Sequence, residues 1–309
     1  MNNRWLIIVN PSSGMGHIQK VWADIEQALL RKNIVFSMRQ TAKSREATQI
    51  VRQAIDTEGC QKIIGIGGDG TMNEIVNGIF QQTTVPPNEI AFTMLPIGTG
   101  NDWASSLNIT SDLDAWVEMI LRGRLMMQDI GVIEYFEYGI LKKHYFANAG
   151  GLAYDAQVVQ SVESNKRYIF GKKVSYFLHI LKCLWDYEPE KVRVVINDET
   201  IEDFFYTINL GINKTSGGGM KMTPQAVNDD GLMALTLIRN LPKWKVLWYT
   251  TRLYNGTIGE VTRYVSLHQA EEIRIESLGK PVYCETDGEL VGTTPIKINI
   301  LKQALSVVC

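Results

Sequence analysis

The stretch "IIGIGGDGTMNEIVNGI" at residues 63–79 carries the densest chemistry in the chain. Gly65, Gly67 and Gly70 satisfy a G-x-G-x-x-G spacing, the mark of a loop that lets backbone approach a pyrophosphate closely. Thr71 and Glu74 form a T-x-x-E capping box, so the spacing predicts a helix starting at Thr71 with free N–H groups facing the loop. A strand followed by such a helix end is an anion site. Asp69 puts a carboxylate inside that loop, where it would repel a pyrophosphate strongly once partly desolvated. A divalent cation between the two reverses the sign, and Mg²⁺ is held through one or two carboxylates plus substrate phosphates. Position also disfavours a dehydrogenase. The loop follows the third strand rather than the first, and Glu89 precedes the next strand instead of ending it. The pattern fits a metal-bound nucleoside triphosphate.

Two further small-residue loops sit at strand ends. "MLPIGTGNDWA" (94–104) again contains an acid, Asp102, whose alternative role is to cap the helix after it. "NPSSGMG" (10–16) lacks the lysine of a Walker A loop. One such loop would pass for a plain turn; three at strand ends argue for a ligand.

The elements that must position these loops change character along the chain. In residues 4–125, strand-like segments at 5–10, 34–40 (an apolar-polar alternation), 62–66 and 90–95 are separated by helical spacing at 17–32, 44–56, from Thr71, and on to about Arg122. Strands separated by helices of that length predict crossover connections and a doubly wound, mostly parallel α/β sheet. Ligands of such sheets bind beyond the carboxyl ends of the strands. From residue 126 strand-like segments follow one another, at 132–137, 143–149, 191–197, 201–212, 232–239, 261–268, 271–277, 281–286 and 295–301. Helical stretches interrupt them at about 153–186 and 242–255. "INDETIE" (196–202) reads as a hairpin turn. The expectation is a nucleotide-binding domain over 1–125 and an antiparallel, sandwich-like all-β domain over 126–294, with the tail at 295–309 free to return to the first.

"GGDGTMNE" (67–74) resembles the nucleotide loop shared by diacylglycerol kinases, NAD kinases and phosphofructokinases. "LPIGTGND" (95–102) narrows this, because it resembles the diacylglycerol-kinase and sphingosine-kinase catalytic-domain family. "NPSSGMG" is similar to that family's first loop, "GGGMKMTPQAVNDDGLMAL" (217–235) to its GGG…P-x-A…DG-L segment, and "TDGE" (286–289) to its late D-G-E motif. The resemblance runs in order through nearly the whole chain and points to the soluble bacterial lipid kinases.

That resemblance implies an ATP- and Mg²⁺-dependent kinase acting on a lipid hydroxyl in a cleft between the domains. Diacylglycerol comes first, with phosphatidylglycerol or a sphingoid base close behind. It implies ATP across Asn10, Pro11, Ser12, Ser13 and Gly14, at Thr41, across Gly67, Gly68, Asp69, Gly70, Thr71, Asn73 and Glu74, and at Gly98, Thr99 and Asn101. Thr41 alone equally suits a helix start. Asp69 and Asp102 are the implied metal-side acids. Glu289 is the implied general base, although Asp287-Gly288 would make a hairpin turn on its own account. Asp129 in "QDIG" resembles an acid of the active-site network, or is an exposed strand-end residue. Asp230 resembles the carboxylate of a structural Mg²⁺ site completed by the carbonyls of Val227 and Leu232, or belongs to a plain turn. The rivals are a kinase for a soluble substrate, such as NAD or a sugar phosphate, and a nucleotide-binding regulator without catalysis.

The totals agree with a soluble globular chain. Of 309 residues, 45% are hydrophobic and 21% charged, and 31 basic against 33 acidic side chains leave a net charge of −2. That balance offers no global basic field for nucleic acid. Four cysteines, Cys60, Cys183, Cys284 and Cys309, show no metal-ligand spacing, as expected of reduced thiols in the cytoplasm. The N-terminus has too short an apolar run for a signal peptide, and no run suffices for a membrane span. Residues 165–187 and 241–256 mix basic and aromatic residues. Each suits either transient contact with the inner membrane face or a core stripe against a sheet. A homodimer is left open.

Overall fold

The computed structural model describes residues 4–13, 18–43, 45–98, 100–164 and 182–309. Its N-terminal part winds β1 (Trp5–Val9), α1 (Ile18–Arg31), β2 (Phe36–Gln40), α2 (Glu46–Glu58), β3 (Lys62–Gly67), α3 (Asp69–Gln81) and β4 (Ala91–Pro96) into a parallel sheet. The strand order is β4-β3-β1-β2. α4 (Asp102–Ser106) and α5 (Leu113–Arg122) follow. All five residues of β1 are buried, which explains why it reads as a continuous apolar run rather than an alternation. α2 packs on α3 and α1 on α5. Three loops, after β1, β3 and β4, therefore leave the same sheet end.

Antiparallel pairing governs the remainder. A long hairpin of β5 (Leu125–Glu137) and β6 (Ile140–Phe146) leads to β7 (Ala149–Ala153) and α6 (Tyr154–Ser164). Then come β8 (Lys191–Ile196), β9 (Glu199–Gly211), β10 (Met233–Arg239), α7 (Lys243–Asn255), β11 (Val265–Ala270), β12 (Glu272–Ser277), β13 (Tyr283–Thr286), β14 (Glu289–Thr293) and β15 (Ile296–Val308). The expected hairpin at 196–202 is there: Asn197 and Asp198 turn between β8 and β9. Each half has its own apolar core.

β15 joins the halves. Its first residues pair antiparallel with β12, its last pair parallel with β4, and β5 runs antiparallel along its length. The β5 register shifts between Leu301 and Leu305, and Asp129 sits at that irregularity. Its Oδ1 accepts the Gln303 N–H and its Oδ2 the Gly231 N–H, both at 2.6 Å, while its own N–H donates to Asn228 O at 2.8 Å. Asp129 is fully buried inside β5. This corrects both expectations for it: it is no exposed strand end, and its carboxylate is turned to the bulge and the 228–231 turn rather than to the glycine loops. Burial pushes its pKa up, and the two N–H bonds pull it back.

Removing that carboxylate strands two buried N–H groups, each worth about 1–3 kcal/mol. Asp129→Ala should lose about 2–4 kcal/mol of stability by urea denaturation while nucleotide affinity per folded molecule is retained. Unchanged stability with lost nucleotide binding would return Asp129 to the active site.

Candidate active site

Glycine allows the loops to meet. A Cβ on Gly98, in the β4–α4 loop, would lie 2.8 Å from Gly68 Cα, in the β3–α3 loop. A Cβ on Gly67 would lie 2.3 Å from Thr71 Oγ1. The hydroxyl that fills this space accepts the Asn10 Nδ2–H at 3.1 Å, which draws the β1 loop onto α3. Asn10 Oδ1 in turn accepts from the N–H and hydroxyl of Ser12. The result is a cavity of about 450 Å³ lined by Asn10, Pro11, Ser12, Ser13, Thr41, Lys43, Gly68, Gly70, Thr71 and Glu74, with Glu289 reaching in from the β-rich half. α3 begins at Asp69, so the unbonded N–H groups of its first turn belong to this wall. Backbone donors, hydroxyls and one ammonium make a phosphate site.

Two carboxylates stand beside it. A Cβ on Gly100 would lie 2.9 Å from Asp69 Oδ2 and 3.9 Å from Asp102 Oδ2, so only a glycine fits between them. Asp69 Oδ2 accepts the Asn101 N–H at 2.8 Å and Oδ1 the Trp103 N–H at 3.4 Å. Burial first, and Asp102 second, raise the Asp69 pKa. Two close acids without a basic partner are what a dication relieves, so this pair fits Mg²⁺. Among the described residues no three acidic, His or Cys side chains cluster, so phosphate and water oxygens would complete such an ion's shell. Asp102 does not cap α4, whose N-cap is Asn101. Its two oxygens instead accept the N–H groups of Gly218 and Gly219, each at 2.8 Å. The GGG turn is thereby clamped to the β4 loop across the domain boundary, so each of the two acids accepts two main-chain N–H groups.

The D-G-E turn closes the crevice from the other side. Asp287 (φ 50°) and Gly288 (φ 83°) form the two-residue turn between β13 and β14, the left-handed geometry that Asp-Gly suits. The Asp287 carboxylate is buried and takes four N–H donors: Asn73 Nδ2 and Ala147 N on Oδ2, Asn148 N and Ala149 N on Oδ1. Burial nevertheless pushes its pKa up to about 6. Two residues on, Glu289 Oε1 lies 3.6 Å from where a Cβ on Gly70 would be, beside the first turn of α3.

Comparison with known proteins identifies the family. Residues 4–133 match the family model "Diacylglycerol kinase catalytic domain", and residues 149–309 match "YegS C-terminal NAD kinase beta sandwich-like domain". The chain belongs to the family that joins these two domains. A Staphylococcus saprophyticus protein named diacylglycerol kinase is 27% identical over 99% of this chain and 95% of its own length. One from Staphylococcus epidermidis is 28% identical over 99% and 92%. A Bacillus anthracis structure described as a diacylglycerol kinase superposes with TM-score 0.72 at 19% identity, covering 99% of this chain and 96% of that one. Another chain from that organism reaches 0.78 at 21%, covering 99% and 95%. At such identities the two structures speak for the fold alone.

Within this family's frame, several expected residues take other roles. Glu74 does not cap its own helix, because α3 starts at Asp69 with Gly68 as N-cap, two residues before Thr71. Its carboxylate instead accepts the N–H groups of Arg45 (2.8 Å) and Ala47 (2.9 Å) at the start of α2. Asn73 faces Asp287, not the cavity. Asp230 closes its own turn, Oδ1 accepting the Leu232 N–H at 2.8 Å and Oδ2 the Gln269 Nε2–H at 3.4 Å. These bonds close the turn on its own, and each carboxylate oxygen keeps a further lone pair, so the turn and a cation held there with Val227 and Leu232 are compatible. Gly14 and Thr99 lie outside the described residues.

Sequence reading missed Lys43, Asp287 as an anchor, and Glu285. Lys43 had a weak signal, its place just past Thr41 at a strand end. Glu285 Oε2 accepts the Gly288 N–H at 2.9 Å, and its carboxylate faces Asp155 across Gly151. Burial, reinforced by Asp155, pushes its pKa from 4.5 up to about 8.

Glu285 thus keeps its proton in the folded protein where the unfolded chain has lost it. Its stabilisation is complete below pH 4.5 and is lost as pH rises towards 8. Asp155 and Asp287, both raised to about 6, slope the same way at lower pH. His144, lowered to about 4 by burial, opposes them only below 6.5. Denaturation midpoints should therefore fall between pH 6.5 and 8, and Glu285→Gln should flatten that fall. A slope that survives the substitution would refute the assignment.

Proposed function

We propose that the protein is a lipid kinase that transfers the γ-phosphoryl group of ATP to a lipid hydroxyl, first of all diacylglycerol, giving phosphatidic acid. One observation carries the reading: Glu289, from the β-rich half, stands with the first turn of α3 in the wall of the phosphate cavity. Phosphoryl transfer needs an aligned acceptor, a base for its proton and charge stabilisation on the transferred group. In this reading Glu289 accepts the hydroxyl proton as the acceptor oxygen attacks phosphorus and ADP leaves. The α3 N–H groups, Lys43 and the hydroxyls of Ser12, Ser13 and Thr71 hold the triphosphate. Asp69 would hold Mg²⁺, which offsets phosphate charge when bound, and Asp102 keeps the GGG turn closed over the site. With a membrane lipid as acceptor, the protein works in the cytoplasm at the inner membrane face. Among the described residues no helix is long and apolar enough to cross a membrane.

A second reading, a kinase for a soluble acceptor, has one finding in its favour, the NAD kinase-like character of the C-terminal family model. Radiolabelled ATP with Mg²⁺ and either mixed lipid vesicles or water-soluble acceptors separates the two. Label in lipid is expected; label only in a soluble product would favour the second.

Glu289→Gln should lower the transfer rate by about 10²–10⁴-fold with ATP affinity little changed. Asp69→Asn should weaken the Mg²⁺ dependence of ATP binding. Full transfer activity in Glu289→Gln would remove the proposed base.

A further inference from the structure

α7 is apolar on both of its faces. At 100° per residue, Val246, Tyr249 and Leu253 fall on one side and pack on the β-rich core. On the opposite side lie Trp244, Leu247, Trp248 and Tyr254, exposed to 64, 46, 72 and 52%. Thr251 and Asn255 share that outer side, so the exposed apolar side chains form a patch set among polar ones. The patch extends beyond the helix. Lys243 Nζ donates to the carbonyl of Trp185, itself 64% exposed, and Asn240 N donates to Phe204 O, whose ring is also exposed. Large exposed aromatic side chains grouped on neighbouring segments mark an interaction site.

The charges around it select the partner. α7 contains Lys243, Lys245 and Arg252 and no acidic residue. Lys243 lies on one border of the outer face and Lys245 and Arg252 on the other. Arg252 pairs with Glu260 at 2.6 Å. Lys245 bonds Tyr264 Oη at 2.9 Å and lies over the Trp244 and Tyr264 rings, and neither lysine has a carboxylate partner among the described residues. Aromatic side chains on the outside with unpaired ammonium groups at both edges suit an in-plane helix at the interface of an anionic bilayer. Asp186 beside Trp185 and Asp203 beside Phe204 are the acids next to the patch, and Asp203 is paired with Arg239.

We propose that the outer face of α7, with Trp185 and Phe204, docks the protein on an anionic phospholipid bilayer, its tryptophans at headgroup depth. The proposal rests on the lipid-kinase reading only for its purpose, not for its evidence. The docked end leads back to the site. Lys221, beside the α7 C-cap at Gly256, lines a cavity of about 710 Å³ together with Gly100, Asp102 and Lys214. A lipid drawn from the bilayer under α7 would therefore meet the β4–α4 loop.

Co-sedimentation of the full chain, without ATP, with phosphatidylglycerol or phosphatidylcholine vesicles tests the docking. The full chain should prefer phosphatidylglycerol, and brominated acyl chains should quench its exposed tryptophans. Trp244→Ala/Trp248→Ala should weaken vesicle binding about tenfold or more with ATP binding intact. Lys243→Gln/Lys245→Gln should erase the preference for the anionic lipid. Unquenched tryptophans, or double-tryptophan variants that sediment like the parent, would overturn the proposal. So would self-association abolished by the tryptophan changes, which would assign the face to a second copy. Docking without lipid phosphorylation would instead defeat the kinase reading and leave this one standing.

Discussion

The buried carboxylate of Asp287 is the contact on which the rest of the site depends. It takes a side-chain N–H from α3, in the parallel half, and three consecutive main-chain N–H groups from the β6–β7 connection. A carboxylate in that environment is costly without its donors, so all of them must be in place together. Because Asp287 opens a two-residue turn, fixing it also fixes Glu289. The orientation of Glu289 towards α3 is thus a by-product of satisfying a buried charge.

Asp102 and Asp129 repeat the device. Asp102 binds the GGG turn across the boundary, and Asp129 binds the β15 irregularity and the 228–231 turn within the β-rich half. Three acids that read as catalytic or turn-forming in sequence act as acceptors for main-chain N–H groups. Asp69 and Glu289 differ. Asp69 lies next to a like charge and Glu289 lines a cavity, where desolvation sharpens chemistry rather than packing.

Backbone proximity does what side chains cannot. The approach of Gly98 to Gly68 and the fit of Thr71 over Gly67 bring three loops into one wall. Each loop belongs to a different strand, and the strands neighbour one another only because the crossovers place β4, β3 and β1 side by side. The same topology brings the end of β15 back beside the start of β4, at Ala91 and Phe92.

Much of this was legible in the residues themselves. Apolar runs alternating with helical spacing specified a parallel sheet, because a strand buried on both faces has no polar alternate positions. Glycine loops with Asp69 specified a crowded strand end lined by backbone donors, and Asp-Gly specified the turn before Glu289. Tertiary structure alone decided which acids accept N–H groups from distant segments and which line the cavity. That depends on which N–H groups arrive from distant strands. Gly218 meets Asp102, Gln303 meets Asp129 and Asn73 meets Asp287 across more than a hundred residues of chain. Local spacing fixes a carboxylate's place on its own element, whereas the donors it meets and the water it loses are set by elements that fold against it from elsewhere.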